Sequence, residues 1–539
     1  MRGGAVAGLA VLMPSLASCA TGASESSTGS SDAKARTVTV AFQDTPGSLD
    51  IEQDVSGLLG MQVGQNCYGE AIRLEQVKGD NGEWVDNWQT PGFADGIDNA
   101  LCESFEVSDD YREYTFHLRR DIKSAYGNPI TTEDVIWTNQ RRFHYMASSY
   151  SFMMQAGMSG PDDIHKIDDH TYKVVLKQPN VQFLKTVAMT PAGGLIDSVE
   201  AKKHATADDP WAAKWLGQHT AGYGAFMVDS YKNGQGLTMV PNPNFYGDKP
   251  QIDKVNWRVV PQAADQLSML IRGDIDIATS LDANQRARLK GVDGVSITSF
   301  PANIMMRLFP QQKQVKEFAD ARVRQALQYA MPVDELNNSV YGGGAAAIKS
   351  VLPSMSAGYT DEYYSYSYDP GKAKQLLAAA GVSGLSFKMM YSAAVAEAQA
   401  IGSILKTAFA DVGVTVTLQP LRDAQFWDAY NRSQYECALL QGSAFSLDPA
   451  FVGTLWLADK TATIGWTNKE YSQTLAKVSS IAETKARLEW IRKMQQIFMA
   501  DLPVVGVISP GFHVAHRSDV DGFIWSATNT IRYQRMVRG

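Results

Sequence analysis

Between Thr220 and Ala278 the hydrophobic and polar positions alternate in an order that can be parsed almost residue by residue. Phe226, Val228 and Ser230 share one side of a strand, Met227, Asp229 and Tyr231 the other, and Asn233-Gly234 supplies a hairpin turn before the return strand Leu237 to Val240. The segment PNPNFYGDKP (241–250) holds three prolines and a glycine, which excludes regular pairing and predicts an extended surface loop. Val255, Trp257 and Val259 then share a strand face and Pro261 stops the run. Ala263, Leu267, Leu270 and Ile271 give a helix face, Gly273 closes that helix, and IDIA opens another strand.

The same two periods continue on either side. RTVTVAFQD (36–44) alternates Val38, Val40 and Phe42 as a strand, and 101–118 reads as a hairpin around the polar turn SDD, with Tyr114, Phe116 and Leu118 on one face. Thr131 precedes Asp134 by three residues ahead of an apolar helical face, a near capping box. Strands 295–300 and 303–309 are interrupted by Pro301. Asp320 caps the helix RVRQALQYAM, and Asp369-Pro370 starts another that Gly381 ends. Strand LSFKMMY (385–391), helix 398–413, strand VTVTL (414–418), helix 424–430 and strand ECALLQ (436–441) then alternate, which predicts a βαβ layout with a substantially parallel sheet. A last helix near 483–500 leads into VVGVIS (504–509).

The order GYG, strand, NPNFYG, strand, helix, RGDIDIA resembles the family 5 extracellular solute-binding proteins of ABC importers, the receptors for dipeptides, oligopeptides, nickel and oligosaccharides. FEVSDDYREYTFHLRR with the following GNPITTEDV, the helix RVRQALQYAM and the closing HRSDVDGF (516–523) are similar to that family as well, so the resemblance spans nearly the whole mature chain. It implies an α/β, two-lobed periplasmic-binding-protein fold of the cluster C type, with an enlarged first lobe and a hinge. Residues 36–300 would form the first lobe, 301–507 the second, and 508–539 a return to the first. The implied partners are a small solute, peptide-like or oligosaccharide-like, and the permease subunits of an ABC importer, with the receptor a monomer and no cofactor.

Composition supports a large folded body: 539 residues, 45% hydrophobic and 20% charged. A net charge of −8 and the lack of any basic run give no bias toward nucleic acid or anionic lipid. The first 18 residues, MRGGAVAGLAVLMPSLAS, carry one Arg and a short apolar run, as a secretory signal does, and are too short to span a bilayer. Leu16-Ala17-Ser18-Cys19 resembles a lipobox. Cys19 would then be the acylated first residue of an extracytoplasmic, membrane-anchored protein, with 19–35 as a flexible Ser/Gly tether. Of the remaining cysteines, Cys67 and Cys102 are the candidate disulfide, with three buried free thiols as the open alternative.

Enzyme chemistry has little behind it. Of eight histidines, His513 and His516 stand three apart on a strand, and no HExxH, paired CxxC, GxSxG or P-loop pattern occurs. Asp274 and Asp276 most simply end a helix and begin a strand, so the chain is read as a binding protein with no catalytic residue and no metal site. A secreted lipoprotein hydrolase, or a sensor or chaperone on the same fold, is the competing class, and the hydrolase requires a nucleophile, base and oxyanion donor in one cleft.

The resemblance also addresses the solute. Peptide-binding members place an Asp shortly before an Asp-Pro pair to anchor the peptide's amino group. Here the run is QGSAFSLDPAF, with Asp448-Pro449 kept and no acid ahead of it. Either a free-amine oligopeptide is not the solute, or the loop has shifted and another acid serves. Phe445 and Trp427 suit apolar or sugar-like faces. The pocket candidates are Phe42, Asn303, Trp427, Ser443, Phe445 and Trp525, and Trp84 and Trp137 are taken as core.

Overall fold

The computed structural model of the protein describes residues 36–53, 58–79, 82–300, 303–455 and 464–539. The signal segment 1–18, Cys19, the tether 19–35 and Pro301 lie outside the described residues.

Two separate sheets organise the body. The first has seven strands in the order Phe226–Lys232, Gly236–Pro241, Lys254–Val259, Thr37–Phe42, Ile277–Ala278, Phe512–Arg517 and Val295–Phe300. The opening hairpin forms and turns at Gly234 with φ 71°, but its register shifts between Val228 and Ser230, which takes Ser230 off the face it was expected to share with Phe226 and Val228. Strand Thr37–Phe42 sits centrally and pairs in parallel with both Lys254–Val259 and Ile277–Ala278. Val38, Val40, Val255, Trp257 and Ile277 are therefore buried. Helix Ala263–Arg272 lies between the last two of these strands, and Gly273 closes it in the left-handed region at φ 76°, where a side chain is disfavoured.

Lesser sheets enlarge this lobe. The hairpin Cys102–Val107 and Glu113–Leu118 continues into a four-stranded sheet with Thr171–Val175 and Ile164–Lys166. Helix Thr132–Tyr145 starts where the Asp134 carboxylate accepts from the Thr131 backbone N–H at 2.8 Å. The end of the chain also belongs here, since Ile524–Ser526 pairs in parallel with Trp84–Asp86.

The second sheet has six strands in the order Ala345–Ala346, Val505–Pro510, Ile304–Pro310, Cys437–Ser443, Ser386–Ser392 and Thr415–Leu421. Its parallel character is confined to Ser386–Ser392 and that strand's two neighbours. The three strands of the alternating βαβ run therefore pair in parallel as expected, and the other pairings of this sheet are antiparallel, so the sheet as a whole is mixed. The cause is topological: Ile304–Pro310 brings the chain into this lobe and Val505–Pro510 takes it out, so these neighbours run oppositely. The outgoing strand extends to Pro510, past residue 508 where the return was expected.

The two lobes are joined covalently at these crossings, Phe300 to Ile304 and Pro510 to Phe512. On the first-lobe side the crossings are in register, Phe300 opposite Phe512, with ring centroids 5.9 Å apart. Other contacts between the lobes lie away from the crossings. Val181 N–H donates to Ser479 O at 3.0 Å and Ala357 N–H to Trp88 O at 3.1 Å, each from one lobe to the other.

The cysteines correct a second expectation. Cys67 and Cys102 are separate, buried free thiols, as is Cys437. Cys67 ends the helix Leu58–Cys67 and bonds the Thr220 side chain, and burial pushes its thiol up to about 12. Cys102 begins a strand beside Tyr172, and burial raises its thiol as well. Cys102 N–H donates to Ala71 O at 2.9 Å, four residues past Cys67, and that backbone contact leaves the two thiols unjoined. The melting temperature is accordingly expected to be the same with and without reductant in scanning calorimetry; a drop on reduction contradicts the free-thiol arrangement.

Candidate functional site

A cavity of about 240 Å³ lies against one face of the six-stranded sheet. Strand periodicity builds its floor: Asn303, Met305, Arg307 and Phe309 are alternate residues and project from one side of Ile304–Pro310 and the residue before it. Leu440, Gly442, Ser443 and Ala444 continue that floor from the neighbouring strand, which pairs Ile304 with Ser443 and Arg307 with Leu440. Helix Asp423–Asn431 lends Trp427 and Tyr430 as one wall, and Val452 and Leu455, at the end of helix Pro449–Thr454, lend another.

The lining is mainly apolar, with a few polar groups placed to orient a ligand. Trp427 leaves 41% of its surface exposed at the rim. Arg307 is buried and donates to Val351 O at 3.3 Å and to the Met305 sulfur, and desolvation pulls its guanidinium down to about 9. Among the described lining residues Arg307 carries the charge and none is a carboxylate.

Three of the six candidates meet here: Asn303, Trp427 and Ser443. The other three do not line the cavity. Phe42 packs its ring on Trp257 at 3.9 Å within the first-lobe core, where the parallel strands bury both faces. Trp525 is fully buried in the strand Ile524–Ser526. Phe445 points across the lobe boundary and meets Phe152 edge-on at 5.3 Å, which makes it a closing contact. Arg307 was missed, although its position was legible: it is the one charge within the apolar run IMMRLF, on the same face as Asn303.

The Asp-Pro pair has a structural occupation. Asp448 caps helix Pro449–Thr454 by accepting from Ala450 N–H at 2.9 Å, and both its oxygens take the Arg487 guanidinium, at 2.8 and 2.9 Å. Both side chains are sealed from solvent. Arg487 also donates to Pro91 O of the first lobe at 3.2 Å, so the pair braces the lobe boundary. Residues 443–447 bring no other acid, so an incoming ammonium finds no carboxylate there.

The remaining chemistry is structural. Asp276 accepts from Thr39 N–H at 2.7 Å and pairs with Arg538 at 2.9 Å, and Asp274 pairs with Arg272 at 2.8 Å. His516 bonds Thr298 at 2.9 Å. His513 bonds Ser299 at 2.9 Å, a Ser–His contact to which no carboxylate is hydrogen-bonded among the described residues. Burial, then the nearby Arg286 charge, pull His513 down to about 4, which makes it a weak base at neutral pH.

The sequence pattern of the bacterial extracellular solute-binding proteins, family 5, matches residues 96–463. The chain belongs to that family. It is 27% identical over 436 residues to the probable D,D-dipeptide-binding periplasmic protein DdpA of Escherichia coli K12, covering 80% of this chain and 82% of that one. It is 29% identical over 303 residues to heme-binding protein A of Haemophilus influenzae, covering 53% and 54%. The fold is that of a putative peptide-binding protein AppA from Clostridium difficile, with a TM-score of 0.79, 21% identity and coverage of 93% of this chain and all of that one. Those names span very different solutes, so membership fixes the role of solute binding and leaves the ligand to the cavity. Among the described residues no helix is long and apolar enough to cross a membrane.

Removing one partner of the sealed Asp448–Arg487 pair leaves an unpaired buried charge. Arg487→Met is expected to lower unfolding stability by about 4 kcal/mol in urea titration. A loss below about 1 kcal/mol would place Asp448 in water and free it for a ligand.

Proposed function

We propose that this family 5 protein is the receptor of an ABC importer, capturing a small solute between its lobes and closing over it. Two strand crossings act as the hinge, near 300–304 and 510–512, and the segments 36–300, 304–510 and 512–539 move as first lobe, second lobe and first lobe again. Ligand stabilises the closed form by the contacts it makes only there. The observation that carries this reading is the cavity on the six-stranded sheet, whose edge residue Asn303 hydrogen-bonds Ala444 O within the second lobe and Ala527 O of the first.

Lipidation at Cys19 after removal of 1–18 belongs to this proposal, as does the 19–35 tether. An anchored monomeric receptor stays near the permease at high effective concentration without a fixed orientation. ATP would be spent by the partner subunits.

The solute is proposed to be peptide-like in size but without a free amino terminus anchored at 443–449. The support is electrostatic. Asp448 is held by Arg487, and the described cavity lining offers Arg307 and no acid. A desolvated ammonium in such a site lacks its countercharge.

A thermal-shift screen tests both levels, because a ligand that binds the native state alone raises the melting temperature. The panel holds free-amine dipeptides and oligopeptides, N-acylated peptides, oligosaccharides and metal chelates. A rise with one non-cationic class and none with free-amine peptides is expected. A rise confined to free-amine peptides overturns the solute reading, and no rise with any class overturns the receptor reading.

A further inference from the structure

Asn303 is placed to do two things with one amide. It is 1% exposed and lines the cavity. Its Nδ2 donates to Ala444 O at 2.7 Å and also to Ala527 O. Two carbonyl acceptors fix which way the amide faces, since a flipped group would set oxygen against both. Its Oδ1 is therefore committed to the other side, where it is buried and has no hydrogen-bond partner among the described residues. A buried acceptor left without a donor costs about 1–3 kcal/mol, so the site is incomplete as the protein alone supplies it.

Ala444 lies in the loop that follows strand Cys437–Ser443 of the second lobe, and Ala527 follows strand Ile524–Ser526 of the first. One end of the Asn303 amide thus ties the two lobes together, while the other is buried without a partner in a residue that lines the cavity. A donor arriving at Oδ1 polarises the same amide and strengthens the N–H bonds on its far side. Binding and closure then share a single planar group.

We propose that Asn303 Oδ1 accepts a neutral N–H from the bound solute, and that this bond is coupled through Nδ2 to lobe closure. This rests on the receptor reading above and adds the ligand's chemical class: a secondary amide with an apolar substituent, as in an N-acylated amino acid. The neutral form follows from the surroundings. Arg307 occupies the same strand face two alternate positions along, Met305 between them is apolar, and no carboxylate is among the described lining residues. An amide N–H satisfies Oδ1 without needing a countercharge. The apolar substituent lies against Leu440, Val452 and the Trp427 ring.

Replacing one ligand atom tests this without disturbing the fold. N-acetyl-L-leucine, the ester analogue with oxygen in place of its N–H (O-acetyl-L-leucic acid) and L-leucine are titrated into the full chain by calorimetry. The radius of gyration is measured by X-ray scattering at each end point. The amide is expected to bind at least about tenfold tighter than the ester or the free amino acid, and to contract the protein. In Asn303→Leu, checked for an intact thermal transition, the amide–ester preference is expected to vanish. Equal binding of amide and ester, tighter binding of L-leucine, or binding of none of the three while another class in the thermal screen binds, overturns the inference and leaves the receptor reading standing. If the whole screen is also silent, the receptor reading falls with it.

Discussion

The structure depends on a topological constraint: two independent sheets share one chain that crosses between them at 300–304 and 510–512. Because one crossing enters the second lobe and the other leaves it, the strands Ile304–Pro310 and Val505–Pro510 are antiparallel neighbours at the heart of the six-stranded sheet. That pairing gives the second lobe its mixed character. It also puts the first residues past the crossing, Asn303 to Phe309, on the floor of the cavity. If the crossing is the hinge proposed above, the cavity floor is mechanically linked to it, since any rotation there moves the floor with its lobe.

Polar and aromatic contacts between the two lobes are spread along the boundary. Asn303 reaches Ala527, Arg487 reaches Pro91, Val181 reaches Ser479, and Phe445 meets Phe152. Hydrogen bonds of this kind contribute about 1 kcal/mol each, so a ligand that adds two or three more can shift the balance between open and closed forms. Asp448–Arg487 differs from the others. It is sealed and internal to one lobe, with one Arg487 nitrogen spanning both Asp448 oxygens, and the same guanidinium reaches Pro91 O of the other lobe.

Periodicity made most of the elements legible. The hairpin at Gly234, the helix closed by Gly273 and the Asp134, Asp320 and Asp369 caps all form as their local chemistry dictates, because each is decided within a few residues. Pairing direction was legible within the βαβ run, whose three strands are parallel, and not at the strands that enter and leave the lobe, since alternation carries no sign for the chain's course between lobes. Tertiary distance explains the site residues in the same way. Asn303, Trp427 and Ser443 converge from three segments, whereas Phe42 and Trp525, equally plausible by composition, are buried within sheets of the first lobe. Phe445 was placed near the right loop but faces the other lobe. Cys67 and Cys102 show the limit of spacing, for sulfur geometry is set by side-chain direction.

The central claim is that solute in the cavity draws two lobes together about the 300–304 and 510–512 crossings. Paired spin labels at the exposed positions Lys232 of the first lobe and Lys406 of the second measure it most directly, with and without whichever solute raises the melting temperature. A broad distance distribution that narrows to one population when the solute is added is expected. An unchanged distribution at saturating solute would contradict it.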